Sequence, residues 1–111
     1  MNITLGLIAP TPGTPLDILQ NRPDLRGKGI LANSVYFQVH KNNVGDVYIG
    51  KQGLNKVADS EIISVLRPPT ANFLNEMTME ITNQPNPYLL DEFRIDVDFL
   101  GDKVRVTAQI Y

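Results

Sequence analysis

The chain has 111 residues, no cysteine, one histidine and a net charge of −2 from ten basic and twelve acidic residues. This length corresponds to one domain with a real core, and the lack of cysteine excludes disulfides, zinc ribbons and a thiol nucleophile. Because the charges form no basic cluster for phosphates, nucleic acid is not an expected partner. No signal peptide is apparent and no apolar run reaches the ~20 residues that span a bilayer, so no membrane partner is expected either.

The N-terminal segment from Asn2 to Ile8 alternates apolar residues with polar or small ones, with Ile3, Leu5 and Leu7 in the apolar positions. This period of two predicts a strand or an extended arm. Prolines and glycines then punctuate the chain as far as Gly29, and proline is excluded from a central strand because it has no amide donor. These residues are Pro10, Pro12, Gly13, Pro15, Pro23, Gly27 and Gly29.

Residues 1–29 are therefore predicted to form an extended Pro-rich N-terminal arm beside a β domain at residues 30–111. Thr14 and Pro15 offer a helix N-cap and a first helical position, which predicts one or two helical turns ending before Pro23. Prolines lower the entropy cost of ordering an arm, and its apolar segment can add a strand to a partner's sheet edge. The residues expected to contact a partner are Ile3, Leu5, Leu7, Ile8, Pro10, Pro12, Pro15, Leu16, Ile18 and Leu19.

An alternative for the same segment is that Asn2–Ile8 is simply a strand of its own domain. Strand addition within a chain and between chains uses the same main-chain hydrogen bonds. The alternating pattern alone therefore leaves both possibilities open.

The compact part of the chain is predicted to begin near Ile30. Alternating residues from Ser34 to His40 and from Val47 to Ile49 predict two strands, and the segment Lys41–Gly45 between them carries the Asn and Gly residues of a turn. We expect the two strands to form a hairpin in which Val39 lies opposite Gly45 or Val47. The following residues, 50–59, are predicted to be a loop.

The next segments predict two further strands. The short apolar run from Glu61 to Leu66 is predicted to be a strand buried on both sides, which Pro68 ends. The segment from Phe73 to Thr82 is ambiguous, but its β-branched residues favour a strand over a helical turn. The segment Asn83–Pro87 is predicted to be a loop.

The C-terminal twenty residues carry the strongest pattern. Apolar and polar residues alternate from Glu92 to Phe99 and again from Lys103 to Tyr111, with Gly101-Asp102 between the runs. Glycine at the first central position suits a type II′ turn, so a β-hairpin is predicted. In this register Phe99 meets Val104, Val97 meets Val106, Ile95 meets Ala108, Phe93 meets Ile110, and Asp98 stands opposite Arg105.

The count of six to eight short strands with closely spaced turns predicts an all-β fold. The expected architecture is a compact antiparallel β-sandwich or jelly-roll-like domain.

The sequence carries no recognisable catalytic constellation. His40 is the single histidine, and we interpret it as a solvated turn residue rather than a catalytic base. Asp96 and Asp98 resemble the start of a calcium loop, but Leu100 and Thr107 occupy ligand positions, so the aspartates are assigned to the solvent-exposed face of the terminal hairpin.

Two further patterns are better explained by structural roles than by ligand binding or catalysis. Gly27-Lys-Gly29 is not a phosphate loop, because no Ser or Thr follows it. Glu76 and Glu80 are interpreted as solvated residues without a partner acid. We therefore predict that the protein is not an enzyme and binds no cofactor or metal.

The central block from Gly29 to Gly50, which includes Val-Tyr-Phe-Gln and Val-Tyr-Ile-Gly, resembles small structural proteins encoded near the capsid genes of tailed bacteriophages. In such proteins a short apolar strand and a Pro-containing turn follow, here Ile62 to Pro69. A terminal strand pair of the type Phe-Arg-Ile-Asp-Val-Asp…Val-Arg-Val then closes the domain. The likeness covers roughly Gly29 to Tyr111 and departs from the pattern at Leu74 to Pro87.

This resemblance implies a capsid decoration, or cement, protein with a compact β fold. Such a protein binds the outer surface of a phage capsid and stabilises the shell. The implied partners are the major capsid protein and other copies of the chain, with a homotrimer favoured. The implied location is the virion, after synthesis in the host cytoplasm.

Two other functions are compatible with the same sequence. One is a phage tail or connector subunit, in which the β domain would form rings. The other is a small carbohydrate-binding module with Tyr36, Tyr48 and Tyr88 as its stacking platform, although the absence of tryptophan weakens it.

Overall fold

The computed structural model describes residues 1–69, the backbone of residues 78–82, and residues 88–110. The strands in this part of the chain are β1 (Asn2–Ile8), β2 (Leu16–Asp17), β3 (Leu31–Val39), β4 (Val47–Asn55), β5 (Ser60–Leu66), β6 (Thr78–Thr82), β7 (Tyr88–Leu89), β8 (Phe93–Val97) and β9 (Val104–Ile110). Short 3-10 turns occur at Pro23–Leu25 and Leu90–Glu92. None of the helical segments in the described residues is long and apolar enough to cross a membrane.

The strands form two antiparallel sheets that enclose one core. The first sheet has the order β1-β9-β3-β6, with β7 also paired to β3, and the second has the order β2-β8-β4-β5. Inward-facing residues of both sheets belong to the same buried cluster, in which the rings of Phe37 and Phe93 lie 5.8 Å apart. The predicted all-β class is confirmed, and the two packed sheets correspond to the predicted sandwich.

The predicted C-terminal hairpin is wrong, because β8 and β9 lie in different sheets. Val97 of β8 pairs with Val47, whereas Val106 of β9 pairs with Phe37 and with Gly6. The amide of Asp102 donates to the Phe99 carbonyl (3.1 Å) with Gly101 in the third position at φ 96°. This is a type II turn, set one residue earlier than the predicted type II′ turn.

Arg105 and Asp98 are also separated. Arg105 pairs with Gln38 and Leu7 in the first sheet, and Asp98 bonds Tyr48 and Lys56 beside the second. The physical reason is that alternation identifies the buried face of each strand but not its neighbour. Two strands that each bury one face show the same alternation of apolar and polar residues whether they are neighbours in one sheet or lie in facing sheets ~10 Å apart.

The predicted hairpin between Ser34–His40 and Val47–Ile49 is wrong for the same reason. β3 pairs with β6, β7 and β9, and β4 pairs with β5 and β8. Both connections are therefore β-arches, in which the chain leaves one sheet and enters the facing one.

Residues 50–59, predicted to be a loop, instead extend β4 to Asn55 and turn into β5. The two strands form a hairpin whose register shifts twice. A Cβ at Gly50 would lie 2.2 Å from the main-chain oxygen of Glu61, and Gly53 has φ 94°. The glycines that suggested a loop therefore permit a tightly bent strand pair.

The β5 strand is confirmed, but its predicted burial on both sides is wrong. Ile63 and Val65 are 39% and 37% exposed, while Leu66 at the end of the strand is buried. In the predicted Phe73–Thr82 strand, the part Thr78–Thr82 is a strand. The preceding part, 73–77, and the predicted loop Asn83–Pro87 lie outside the described residues.

The predicted extended arm is not confirmed, because residues 1–29 contribute two strands and core residues to the sandwich. β1 pairs with β9, and β2 pairs with β8. Leu5, Ile8, Ile18 and Leu19 are at most 1% exposed and share the core with residues beyond position 30. The proposed boundary at residue 29 therefore falls between two strands of one sandwich.

The helical turns predicted after Thr14 are also not found. Leu16–Asp17 is a short strand, and a 3-10 turn at Pro23–Leu25 follows instead. As a strand, this segment pairs with β8, with Leu16 opposite Ile95, whereas a single helical turn without such pairing would be only marginally stable.

One side chain closes the outer edge of β1. The Asn21 amide nitrogen donates to the carbonyls of Leu5 (3.1 Å) and Leu7 (2.9 Å). Gly6 lies between them, and a Cβ there would stand 2.8 Å from this nitrogen. The edge predicted to add a strand to a partner is therefore occupied at these carbonyls.

Candidate protein-interaction surface

The two β-arches lie together at one end of the sandwich. Residues 40–46 connect β3 to β4, and residues 98–103 connect β8 to β9. Main-chain bonds join them, from the amide of His40 to the carbonyl of Lys103 (3.2 Å) and from the amide of Asp98 to the carbonyl of Asp46 (3.3 Å). We refer to these two segments as the arch end.

Two buried polar side chains clamp the arches to each other. The Asp102 carboxylate, 3% exposed, accepts hydrogen bonds from the amides of Val44 (3.0 Å) and Gly45 (2.8 Å). The Asn43 side chain donates to the carbonyl of Lys103 (2.8 Å) and accepts from its amide (2.9 Å). Because buried polar groups stabilise only when satisfied, these reciprocal bonds hold the arch end in one conformation.

Three apolar side chains project from this clamped support. Val44 is 67% exposed, Phe99 53% and Leu100 79%. Leu100 occupies the second position of the type II turn, and the Phe99 ring lies so close to Gly45 that a Cβ there would be 2.3 Å from it. Exposed apolar groups on an ordered loop are typical of a binding surface.

His40 belongs to the arch end, at the start of the turn between β3 and β4. Its Nδ1 accepts a hydrogen bond from the amide of Asn42 (3.2 Å), a contact that stabilises the turn. This geometry agrees with the interpretation of His40 as a turn residue.

A second polar cluster lies beside the arch end. Asp96 is 1% exposed and accepts hydrogen bonds from the amides of Gly13 (3.0 Å) and Val97 (2.8 Å), with the Lys56 ammonium 3.9 Å away. Asp96 therefore ties the N-terminal segment to β8. Its predicted position on a solvent-exposed face is wrong, whereas Asp98 is exposed as predicted.

Lys56 and Tyr48 complete this cluster. Lys56 donates to the Val97 carbonyl and to Asp98 (3.3 Å), and its ammonium lies 5.7 Å from the centre of the Tyr48 ring. The Tyr48 hydroxyl donates to Asp98 (3.1 Å). Burial, followed by the hydrogen bond to Asp98 and the charge of that carboxylate, raises the pKa of Tyr48 above its ordinary value.

The three tyrosines considered as a sugar platform are dispersed. Tyr48 lies on β4 in the second sheet, and Tyr36 lies on β3 in the first, not on a neighbouring strand. Tyr88 packs against Phe93 at 5.8 Å. The three rings therefore do not form one stacking surface.

A separate open depression of about 280 Å³ is lined by Lys51, Gln52, Glu61 and Glu92. Its lining mixes one cation with two carboxylates. The described residues contain no group of three or more His, Cys, Asp or Glu side chains that could hold a metal ion.

Half of the ten residues predicted to contact a partner are buried within their own chain. Leu5, Ile8, Pro10, Ile18 and Leu19 are buried, and Ile3, Pro12, Pro15 and Leu16 are half-buried. Leu7 is 38% exposed and pairs with Arg105, next to the arch end.

The arch end was not predicted, because the alternating pattern placed Phe99 in a core pair with Val104. The signal that identifies the surface was present in Phe99-Leu100-Gly101-Asp102, where two large apolar residues precede a turn glycine. Apolar residues at a turn are an exception to the usual polar composition of turns.

Comparison with protein families, with curated proteins and with solved structures finds no match to this chain. The geometry of the arch end is therefore the principal guide to function.

Proposed function

We propose that this protein is a non-enzymatic structural component of a bacteriophage virion that binds the outer surface of the capsid and stabilises the shell. Its proposed partners are the major capsid protein and further copies of itself, with a trimer favoured. Its proposed location is the virion surface, after synthesis in the host cytoplasm.

The strand order supports this proposal at the level of the fold. The sheets β1-β9-β3-β6 and β2-β8-β4-β5 are linked by a chain that changes sheet at most of its connections. We infer from this order that the sandwich is a jelly roll, an architecture used by viral capsid and lectin domains. Because one fold serves many functions, the fold alone does not identify a partner.

The observation that carries the proposal is the rigid, apolar arch end. A decoration protein must bind a preformed surface without a covalent bond, and a clamped loop pair loses little conformational entropy on binding. Full burial of Phe99 and Leu100 would contribute roughly 1.5–3 kcal/mol each before ordering costs. The attachment role first predicted for residues 1–29 is therefore reassigned to the arch end, since Leu5, Ile8, Ile18 and Leu19 of that segment are in the core.

The test is co-sedimentation with undecorated shells assembled from the major capsid protein of the same virus. The wild-type protein is expected to sediment with the shells, and Phe99→Ser/Leu100→Ser is expected to lose at least tenfold in affinity. Val57→Ser is the matched control, because Val57 is 91% exposed but lies at the β4–β5 turn. Equal binding of the double variant and the wild type would contradict the proposed surface.

The purified protein also tests the alternative that it is a tail or connector subunit. A ring of six or more subunits in sizing and imaging, without binding to shells, would indicate a tail or connector part. The dispersed positions of Tyr36, Tyr48 and Tyr88 do not support these residues as the platform of the carbohydrate-binding alternative.

A further inference from the structure

Three positively charged side chains lie at or beside the arch end. Arg105 stands between the buried Val104 and Val106 on β9 and is exposed, and Lys103 directly precedes the strand and is half-buried. Lys41 follows His40, whose amide bonds the carbonyl of Lys103. We refer to Lys41, Lys103 and Arg105 as the basic flank.

The basic flank has no electrostatic partner among the described residues. The ion pairs of the described chain involve Arg22, Arg26, Lys56 and Arg67 as the cations. Among the described residues, the side chains of Lys41, Lys103 and Arg105 take part in none of these ion pairs.

The acidic residues of the arch end, in contrast, are compensated. Asp102 is buried against two amides. Asp46 pairs with Arg67 at 2.9 Å, and Asp98 bonds Lys56 and Tyr48. The available charge at this end is therefore positive, although the whole protein has a net charge of −2.

We infer that the arch end binds an acidic surface of a protein partner, whose carboxylates face the basic flank while an adjoining apolar area receives Phe99 and Leu100. This inference rests on the proposed function and deepens it, because it specifies the chemistry of the capsid surface that is bound. The complementary charges orient the protein, and the apolar contacts hold it.

A protein surface fits this combination better than a lipid surface. Asp98 directly precedes Phe99, and Asp46 directly follows Gly45. Inserting the apolar tip into a bilayer would carry both carboxylates and the ion pairs that they form with Arg67 and Lys56 out of water, which is costly. A protein surface can instead offer carboxylates to the basic flank and leave these ion pairs in water at the rim of the interface.

The two parts of the surface have different kinetic consequences. Exposed charges at the rim of an interface mainly change the association rate and its dependence on salt, whereas buried apolar anchors mainly change the dissociation rate. Neutralising the basic flank is therefore expected to slow association with little change in dissociation.

The kinetic experiment measures binding of the full chain to immobilised undecorated shells at low and high salt. Lys41→Gln/Lys103→Gln/Arg105→Gln is expected to reduce the association rate about tenfold at low salt and to flatten its salt dependence. The matched control is Arg22→Gln/Lys28→Gln/Lys51→Gln, which removes the same charge away from the arch end. Unchanged kinetics in the first variant, or equal slowing in the control, would overturn the inference.

A second readout uses a defined acidic probe in place of the shell. At pH 7 and low salt, the wild type and the control variant are expected to be retained on a carboxymethyl matrix despite their negative net charge, and the basic-flank variant is expected to elute. Absence of shell binding by every variant, together with this retention, would contradict the proposed capsid role and support an acidic partner. No retention of the wild type would overturn the acidic partner itself.

Two other possible partners of the arch end, a membrane and a second copy of this chain, would give different results. Flotation with phosphatidylserine vesicles that depends on the basic flank would overturn the protein partner in favour of a membrane. Concentration-dependent self-association that the basic-flank variant abolishes would overturn it in favour of a second copy of this chain.

Discussion

Val97 and Phe99, two positions apart in the chain, differ strongly in burial. Val97 ends β8 and is fully buried, whereas Phe99 is 53% exposed and rests on Gly45. In the predicted hairpin both side chains would lie on the same core face. The structure gives them different roles, one in the stability of the sandwich and one in the proposed contact with a partner.

This difference leads to a stability prediction. Val97→Asp places an unpaired charge in the core and should lower the free energy of unfolding by several kcal/mol. Phe99→Asp should lower it by about 1 kcal/mol or less, because the new carboxylate remains in water. Urea unfolding monitored by circular dichroism measures both, and equal large losses would show that Phe99 belongs to the core.

A second prediction concerns Tyr48 and pH. At pH 7, Tyr48→Phe should destabilise the protein by about 1 kcal/mol, because it removes the hydrogen bond to Asp98. The pKa of Tyr48 is raised in the folded protein, so its protonated form is favoured there. This contribution is complete below the unfolded pKa of about 10 and is lost as the pH rises through the folded value.

The measurement is the unfolding free energy of wild type and Tyr48→Phe from pH 7 to above pH 10. The difference between them should shrink at the alkaline end. Asp98→Asn serves as the control, because it keeps an acceptor for the hydroxyl but removes the charge, and should weaken the pH dependence. A difference that is constant over the whole range would exclude the assigned shift.

At the scale of strands and turns, two glycines that both exclude a Cβ should respond differently to substitution. A Cβ at Gly50 would meet a main-chain oxygen, that of Glu61, at 2.2 Å, so the bent β4–β5 hairpin itself must move. A Cβ at Gly45 would meet the Phe99 ring, which is half-exposed and can rotate outward.

We therefore expect Gly50→Ala to lower the free energy of unfolding by roughly 1–3 kcal/mol, as other overpacked sites do. Gly45→Ala should cost less, because only a side chain is displaced. Thermal and urea unfolding of the two variants measures which substitution lowers the free energy of unfolding more. A larger loss for Gly45→Ala would mean that the Phe99 position is essential to the arch end.

In β9, alternation in the sequence predicted the strand and its buried face, but not its neighbours. Val104, Val106 and Ala108 are buried as the pattern indicates, yet they pair with β1 and β3 instead of β8. Pairing is decided by whether a connection turns within a sheet or crosses to the facing sheet. Gly and Asn residues permit both, so the local sequence does not distinguish a hairpin from an arch.

The candidate surface was harder to predict than the fold. The prolines of residues 9–29 suggested a segment outside the domain, but Pro10 is buried and its neighbours lead into β2. The clamp formed by Asp102 and Asn43 joins residues about sixty positions apart, as in Gly45 with Asp102. No spacing rule along the chain reveals such a contact.

At the scale of the whole molecule, removal of Met1 to Lys28 should unfold the domain, because these residues form part of the sandwich. This segment contains Leu5, Ile8, Ile18 and Leu19 in the core. At roughly 1.5–3 kcal/mol for each buried side chain, their loss is comparable with the 5–15 kcal/mol stability of a typical domain.

The check is a far-UV spectrum and a melt of the truncated protein. Two point variants provide a graded control, since Leu19→Ala should destabilise strongly and the exposed Leu7→Ala weakly. A cooperative melt of the truncated protein near the wild-type temperature would show that these residues are not needed for the fold.

The position of β9 between β1 and β3 has a consequence for the order in which the protein can assemble during synthesis. The ribosome makes residues 104–110 after all the other described strands, yet β1 and β3 each need β9 as a neighbour. Until then the apolar residues of β1 have no sheet to join, and closing such distant pairs is slow. Before β9 is made, β3 can already pair with β6 and β7, whereas β1 has no neighbour. The unpaired β1 and the free side of β3 are therefore open to pairing with other chains until residues 104–110 close the sheet.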